Sequence, residues 1–246
     1  MKALKELDIH KYELIIFDWD GTLVDSLSAY EMWDKLYVEK FYGVEMSLEY
    51  FEELAARIKR VDPGRSEDEY FRYLDKKFGD GNVPIEEIWR NIYSLAPEIQ
   101  SKIAYKEHAT DLLKKLRLTT NANIALATNS QHRDIAFFSS IESATARFVS
   151  PIEYFDKIIT LNDINNPKPD PESFQRIIDH FFVDASKVLI FEDSAHGVIA
   201  AKKTGADVVL FDDEDLKLSE AIEIADYTFN NWKEIIDLLF EDSTVK

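Results

Sequence analysis

LIIFDWDGTLVDS occupies residues 14–26 and decides how the rest of the chain is read. Leu14 to Asp18 is a short apolar, β-branched run, which predicts a buried strand. That strand ends on two carboxylates, Asp18 and Asp20, followed by Gly21 and Thr22, a tight turn rich in oxygen atoms. Open parallel sheets place their ligands at the carboxyl edge of the strands, so a candidate site is expected here. A carboxylate nucleophile suits phosphoryl transfer, because a covalent intermediate splits one hard displacement into two easier ones. A second carboxylate two residues later can protonate a leaving oxygen and afterwards activate water. Asp-x-Asp in an acidic chain is also commonly a solvated turn; the buried strand in front of it favours chemistry.

Outward from this stretch the pattern divides. From Ser28 to about Pro97 only helical periodicity is present, with helices predicted over Ala29–Tyr42, Leu48–Arg60, Glu67–Phe78 and Ile85–Leu95. Ser47 and Ser66 suit N-caps, and Pro84 suits a helix start. After Tyr105 helix and strand alternate. Helices are predicted at Glu107–Leu118, Gln131–Glu142, Glu172–Phe182 and Ala195–Thr204, and strands at Asn123–Ala127, Lys187–Phe191 and Asp207–Phe211. An apolar stretch runs over Asp156–Leu161, and the tail adds DYTFN and a last helix. Alternation of this kind predicts a parallel sheet covered on both faces. The expected fold is α/β: a doubly wound, Rossmann-like parallel sheet formed by residues 1–26 and 105–246, with an all-α cap inserted over 27–104.

Composition narrows the chemistry. With 246 residues, 46% of them hydrophobic, there is apolar material for a sizeable core. No cysteine is present, which excludes disulfides, thiolate catalysis and cysteine-held metals. A formal charge of −18 argues against nucleic acid, whose phosphates are bound by basic surfaces. The same acidity disfavours a small anionic ligand unless a cation or a local basic group compensates, which points to a metal. No apolar run approaches the ~20 residues that span a bilayer, and MKALKELDIHKYE lacks the apolar segment of a secretory signal. A cytoplasmic protein, without membrane or obligate protein partner, is expected.

Three further stretches carry candidate chemistry. IALATNS ends a predicted strand at Thr128 and Asn129, whose hydroxyl and amide can donate to a phosphoryl oxygen; the alternatives are a turn or helix cap, with Ser130 able to cap the next helix. NNPKPDPESF frames Lys168 between Pro167, Pro169 and Pro171, a stiff loop that holds an ammonium in place. VLIFEDSAHGVIAAKKTGA runs a buried strand straight into Glu192 and Asp193, hard oxygen donors suited to Mg²⁺. Their alternative is helix capping by Asp193 or Ser194.

The DxDGT string at Asp18–Thr22, the Thr at 128, the proline-framed Lys168 and the EDS segment at 192–194 occur in the order found in the haloacid dehalogenase-like hydrolase superfamily, which the chain resembles from Leu14 to about Leu239. The resemblance implies Asp18 as nucleophile and Asp20 as general acid/base. It implies Mg²⁺ held by the Asp18 carboxylate, the Asp20 main-chain oxygen and Asp193, with Glu192 supporting directly or through water. Thr128, Asn129 and Lys168 would meet the phosphoryl group of a small phosphorylated metabolite. Trp19, where the family often has Phe, Leu or Met, is expected to narrow the pocket. Dehalogenases and phosphonate-cleaving members lack the second carboxylate, so Asp20 leaves a phosphatase, or a phosphomutase of the β-phosphoglucomutase type. A non-catalytic binding protein on the same fold is the remaining alternative. Substrate choice is expected in the cap, where Arg57, Lys59, Arg60 and Arg65 concentrate, with Arg65 the candidate contact. Trp33, Tyr37, Phe41 and Tyr70 recur at helical spacing and read as cap core.

Overall fold

A computed structural model describes residues 4–61, 67–140, 143–211 and 219–240. In chain order, β1 (Leu14–Phe17) and β2 (Val24–Asp25) precede five helices: α1 (Leu27–Tyr42), α2 (Leu48–Val61), α3 (Glu67–Phe78), α4 (Ile85–Ser94) and α5 (Ala96–Gln100). Then come β3 (Ala104–Tyr105), α6 (Ala109–Thr119), β4 (Asn123–Ala127), α7 (His132–Phe138), α8 (Pro151–Tyr154) and β5 (Lys157–Ile159). They are followed by α9 (Glu172–Phe181), β6 (Val188–Glu192), α10 (Ala195–Lys203), β7 (Asp207–Phe211), α11 (Ser219–Ile224), β8 (Tyr227–Phe229) and α12 (Trp232–Phe240). By contact density the chain forms two compact units, Met1–Asp25 with Ala104–Lys246, and Ser26–Ile103.

The first unit is built on a parallel six-stranded sheet in the order β5-β4-β1-β6-β7-β8. The chain runs outward from β1 in both directions, so the carboxyl ends of β1, β4 and β6 converge where the strand order reverses, the position at which such sheets bind ligands. Alternate residues go to opposite faces. Leu14, Ile16, Ala125, Ala127, Val188, Ile190, Val208 and Leu210 join Phe174, Ile177 and Val198 of the covering helices in one apolar layer. On the other face Phe17 stacks on Phe191 with centroids 4.8 Å apart, and Trp232 of α12 packs against Phe191, Phe211 and Phe229. Trp232 also donates its indole N–H to the carbonyl of Thr22, so this layer braces the turn after β1. The two chain crossings form their own antiparallel pair, Val24 with Tyr105 and Asp25 with Ala104.

The second unit is all helical. Trp33 and Tyr37 of α1 are buried with Phe51, Leu54, Phe71, Leu74 and Ile88, and the Trp33 indole donates to the carbonyl of Ile92. Ser47 accepts from the amide of Tyr50 at the start of α2, and Pro84 precedes α4 as expected. Phe41 differs from the expectation: its position near the C-terminus of α1 leaves it 40% exposed. Ser66 and Arg65 lie outside the described residues. No helix among the described residues is long and apolar enough to cross a membrane.

The short elements α5, α8, β2 and β3 were not expected, because they are too brief to show a period. The predicted helix over Gln131–Glu142 ends earlier, at Phe138. There the chain turns so that the hydroxyl of Thr145 can donate to the Phe138 carbonyl.

Candidate active site

Parallel register places the chemistry. Phe17 of β1 pairs with Leu126 of β4 on one side and Phe191 of β6 on the other. One residue further along, Asp18, Ala127 and Glu192 therefore share a level across three neighbouring strands, and Asp18 stays in register by donating its amide to the Phe191 carbonyl at 2.9 Å. Lys168 reaches all three: its ammonium donates to Asp18 Oδ1 at 2.5 Å, Glu192 Oε1 at 2.6 Å and the Ala127 carbonyl at 3.0 Å. The same ammonium lies 4.7 Å from the ring centre of Phe174 on α9. Lys168, Asp18 and Glu192 are all buried, so each hydrogen of the ammonium has a specific acceptor in a weakly solvated place.

Glu192 works with both oxygens. Oε1 meets Lys168, while Oε2 accepts from the amides of Asp193 and Ser194 and from the Ser194 hydroxyl. Ser194 caps α10 by accepting from the amide of Gly197 at 3.0 Å. The capping alternative raised from sequence is thus realised by Ser194, and Glu192 adds negative charge at the positive end of the helix. A Cβ on Gly197 would lie 1.9 Å from the Glu192 carboxyl carbon, so this glycine makes room for the carboxylate.

Asp193 completes the cluster. Its Oδ1 accepts from the Thr22 hydroxyl at 3.1 Å, and a Cβ on Gly21 would fall 2.0 Å from its Oδ2. Gly21 also has a φ of +75°, a left-handed conformation that disfavours any side chain. Asp18, Glu192 and Asp193 each bring a carboxylate oxygen within 4.8 Å of the others, all three buried. Lys168 is the ammonium in direct contact with Asp18 and Glu192, and Lys106 adds its field at Asp193, so the buried acids outnumber the cation they touch. The titration behaviour follows from that imbalance. Burial pushes the Asp18 carboxyl well above the usual range, Lys168 opposes this, and the fields of Glu192 and Asp193 add to it. Asp193 is pushed up to about 7, mainly by burial and by Glu192, against the Thr22 hydroxyl bond and Lys168. Burial works against the charge of Lys168, but Asp18 and Glu192 hold its pKa above the ordinary lysine range. An added cation would offset that excess, and buried oxygen donors match the preference of a hard divalent one. The cluster therefore fits a metal such as Mg²⁺.

The remaining expected residues divide. Asp20 is outside the three-acid cluster; its Oδ2 accepts from the Ser130 hydroxyl at 2.5 Å. Thr128 is buried beyond the end of β4, with its amide on the Ile159 carbonyl and its Oγ1 accepting from the amide of Ser130. Asn129 is exposed. Two expectations change. Ser130 does not cap α7; Gln131 begins that helix, with its amide donating to Asp134. Trp19 is fully buried, packed against the rings of Tyr105 and Phe138, a core position rather than the pocket wall expected of it. Sequence reasoning missed the contacts of Thr22 and Ser130. Both lie inside motif strings, and a hydroxyl beside a carboxylate pair was the available signal.

Comparison with known proteins agrees with the fold. Residues 15–211 match the sequence model of the haloacid dehalogenase-like hydrolases. A phosphorylated carbohydrates phosphatase of Thermotoga maritima is 29% identical over 78% of this chain and 82% of its own length. A validoxylamine A 7'-phosphate phosphatase of Streptomyces hygroscopicus subsp. limoneus is 27% identical over 79% of this chain and 83% of its own. Among solved structures, a beta-phosphoglucomutase-like protein from Thermotoga maritima superposes with a TM-score of 0.73 at 25% identity, covering 95% of this chain and all of the other.

Proposed function

The chain belongs to the haloacid dehalogenase-like hydrolase family, and from that premise we propose that it is a phosphatase that hydrolyses a small phosphorylated metabolite through an aspartyl-phosphate on Asp18. The observation that carries the reading is the buried Lys168 ammonium shared between Asp18 and Glu192, with Asp193 beside them. Such a cluster keeps a carboxylate in place and needs extra positive charge to keep it ionised, as a phosphate-bearing nucleophile requires.

Asp18 attacks phosphorus with a carboxylate oxygen while the bond to the substrate oxygen breaks; Asp20 gives that oxygen its proton. Water then attacks the same phosphorus, giving its proton to Asp20, and the bond to Asp18 breaks to release inorganic phosphate. Lys168 and the Thr128 hydroxyl offset charge on the phosphoryl oxygens, with Asn129 a further donor at that strand end. Asp18, Asp193 and the Asp20 main-chain oxygen would hold Mg²⁺, and Glu192, whose oxygens are already engaged, supports them by fixing Lys168 and the start of α10. When bound, the cation would supply positive charge that offsets the buried acids. Substrate choice is assigned to the helical unit, with Arg65 retained as the proposed contact.

Asp18→Asn should abolish Mg²⁺-dependent hydrolysis of 4-nitrophenyl phosphate; retained turnover would overturn the assignment. The likeness to the beta-phosphoglucomutase-like structure supports a second reading, return of the phosphoryl group to a sugar phosphate. Release of inorganic phosphate from hexose phosphates favours the phosphatase; isomerised sugar phosphate that forms only with a bisphosphate primer favours the mutase.

A further inference from the structure

We propose that Ser130 is the positioning residue that holds the Asp20 carboxyl in line for proton transfer. Ser130 is fixed at three points. Its amide donates to Thr128 Oγ1 at 2.9 Å, its carbonyl accepts from the amide of Leu161 at 3.0 Å, and its hydroxyl donates to Asp20 Oδ2 at 2.5 Å. The two backbone bonds tie it to the end of β4 and to the turn following β5, so the hydroxyl projects from a rigid support toward the loop after β1. Asp20 is anchored from its own side by the amide of Gly21, which donates to the Val24 carbonyl at 3.0 Å and closes the turn. A carboxyl on a short loop has two rotatable side-chain bonds, and a single strong hydrogen bond to one oxygen removes most of that freedom.

This inference rests on the reading of Asp20 as general acid and base, and its test separates the two. For a phosphomonoester, kcat/KM reports the steps through departure of the leaving group. A nitrophenolate leaves without needing a proton, whereas a sugar or glycerol alkoxide needs one. Ser130→Ala should therefore lower kcat/KM for an alkyl phosphate such as glycerol 3-phosphate by about tenfold to a hundredfold, a fraction of what a general acid contributes. The kcat/KM for 4-nitrophenyl phosphate should change less than about threefold. Its kcat should nevertheless fall and a burst of nitrophenolate should appear, because hydrolysis of the intermediate still needs Asp20 as base. Ser130→Thr, which keeps the hydroxyl, should restore the alkyl ester rate.

Equal losses of kcat/KM on both esters, or no loss on the alkyl ester, would overturn the proposal. Should Ser130→Ala melt well below the parent, Ser130→Cys and Ser130→Thr carry the same comparison, since they keep a side chain at the position with a weak and a full hydroxyl-type donor. Asp20→Asn on the same two esters is the control. If it shows no leaving-group dependence while Asp18→Asn is inactive, the reading of Asp20 fails; if it shows the dependence and Ser130→Ala does not, only the positioning role fails.

Discussion

Replacing Lys168 by Met removes the one ammonium that faces Asp18, Glu192 and the Ala127 carbonyl, at nearly unchanged side-chain length. The three acceptors sit at 2.5, 2.6 and 3.0 Å from Nζ, and both carboxylates are buried. Breaking a buried ion pair from one side costs about 3–5 kcal/mol, because the partner charge stays behind uncompensated. That is a large part of the ~5–15 kcal/mol by which a domain is stable. Glu192→Gln should offset much of the loss. A glutamine can keep its oxygen on the amides of Asp193 and Ser194, as Glu192 Oε2 does, while presenting an uncharged NH₂ where Lys168 stood. Urea unfolding at pH 7 in EDTA, run on wild type, both single variants and the double, forms a thermodynamic cycle. The expected coupling is about 2–3 kcal/mol, with the double variant more stable than Lys168→Met. Activity should stay lost in the double variant, since a neutral pair cannot offset phosphoryl charge. An unfolding midpoint for Lys168→Met within error of wild type, or strictly additive effects, would refute the view that this lysine neutralises the buried acids.

Other expectations follow from the same cluster. Asp193 has a folded pKa of about 7 against an ordinary 3.8, so the folded chain binds more protons than the unfolded one between those values. Metal-free protein should thus lose stability as pH rises from about 4 to about 7, by a total on the order of 4 kcal/mol. Urea midpoints measured in EDTA across that range check the sign, and a midpoint that rises with pH would contradict it. Asp193→Asn should flatten that profile and raise metal-free stability at pH 8 by a few kcal/mol, while weakening Mg²⁺-dependent turnover by more than about a hundredfold. Adding Mg²⁺ at pH 7.5 should raise the melting temperature of wild type and barely move that of Asp193→Asn, through selective binding to the folded state. Gly197→Ala places a methyl 1.9 Å from the Glu192 carboxyl carbon and should destabilise by about 2–4 kcal/mol, read by denaturant midpoint, with the lost activity following the displaced glutamate.

The sheet, its parallel sense and the position of the site at the strand ends were legible in the sequence. Apolar runs such as Leu14–Phe17 and Val188–Phe191, separated by helical periods, admit few arrangements that bury both faces. That Asp18, Lys168 and Asp193 are candidates was legible too, because each stands just past an apolar strand or in a proline-stiffened loop. What a linear pattern cannot show is which side chains share a level across strands more than a hundred residues apart. Only the pairing of Phe17 with Leu126 and Phe191 puts Asp18, Ala127 and Glu192 in one row beneath Lys168. Likewise the reason for Gly21 and Gly197 is the Asp193 and Glu192 carboxylates against them, a steric fact that arises only when distant segments close on each other. Ser130 shows the division most sharply. By sequence it sits before a helix and suits its cap, since capping is a local choice. In the fold it turns to Asp20, 110 residues away, because the end of β4 and the turn after β5 hold its backbone where that carboxylate is within reach.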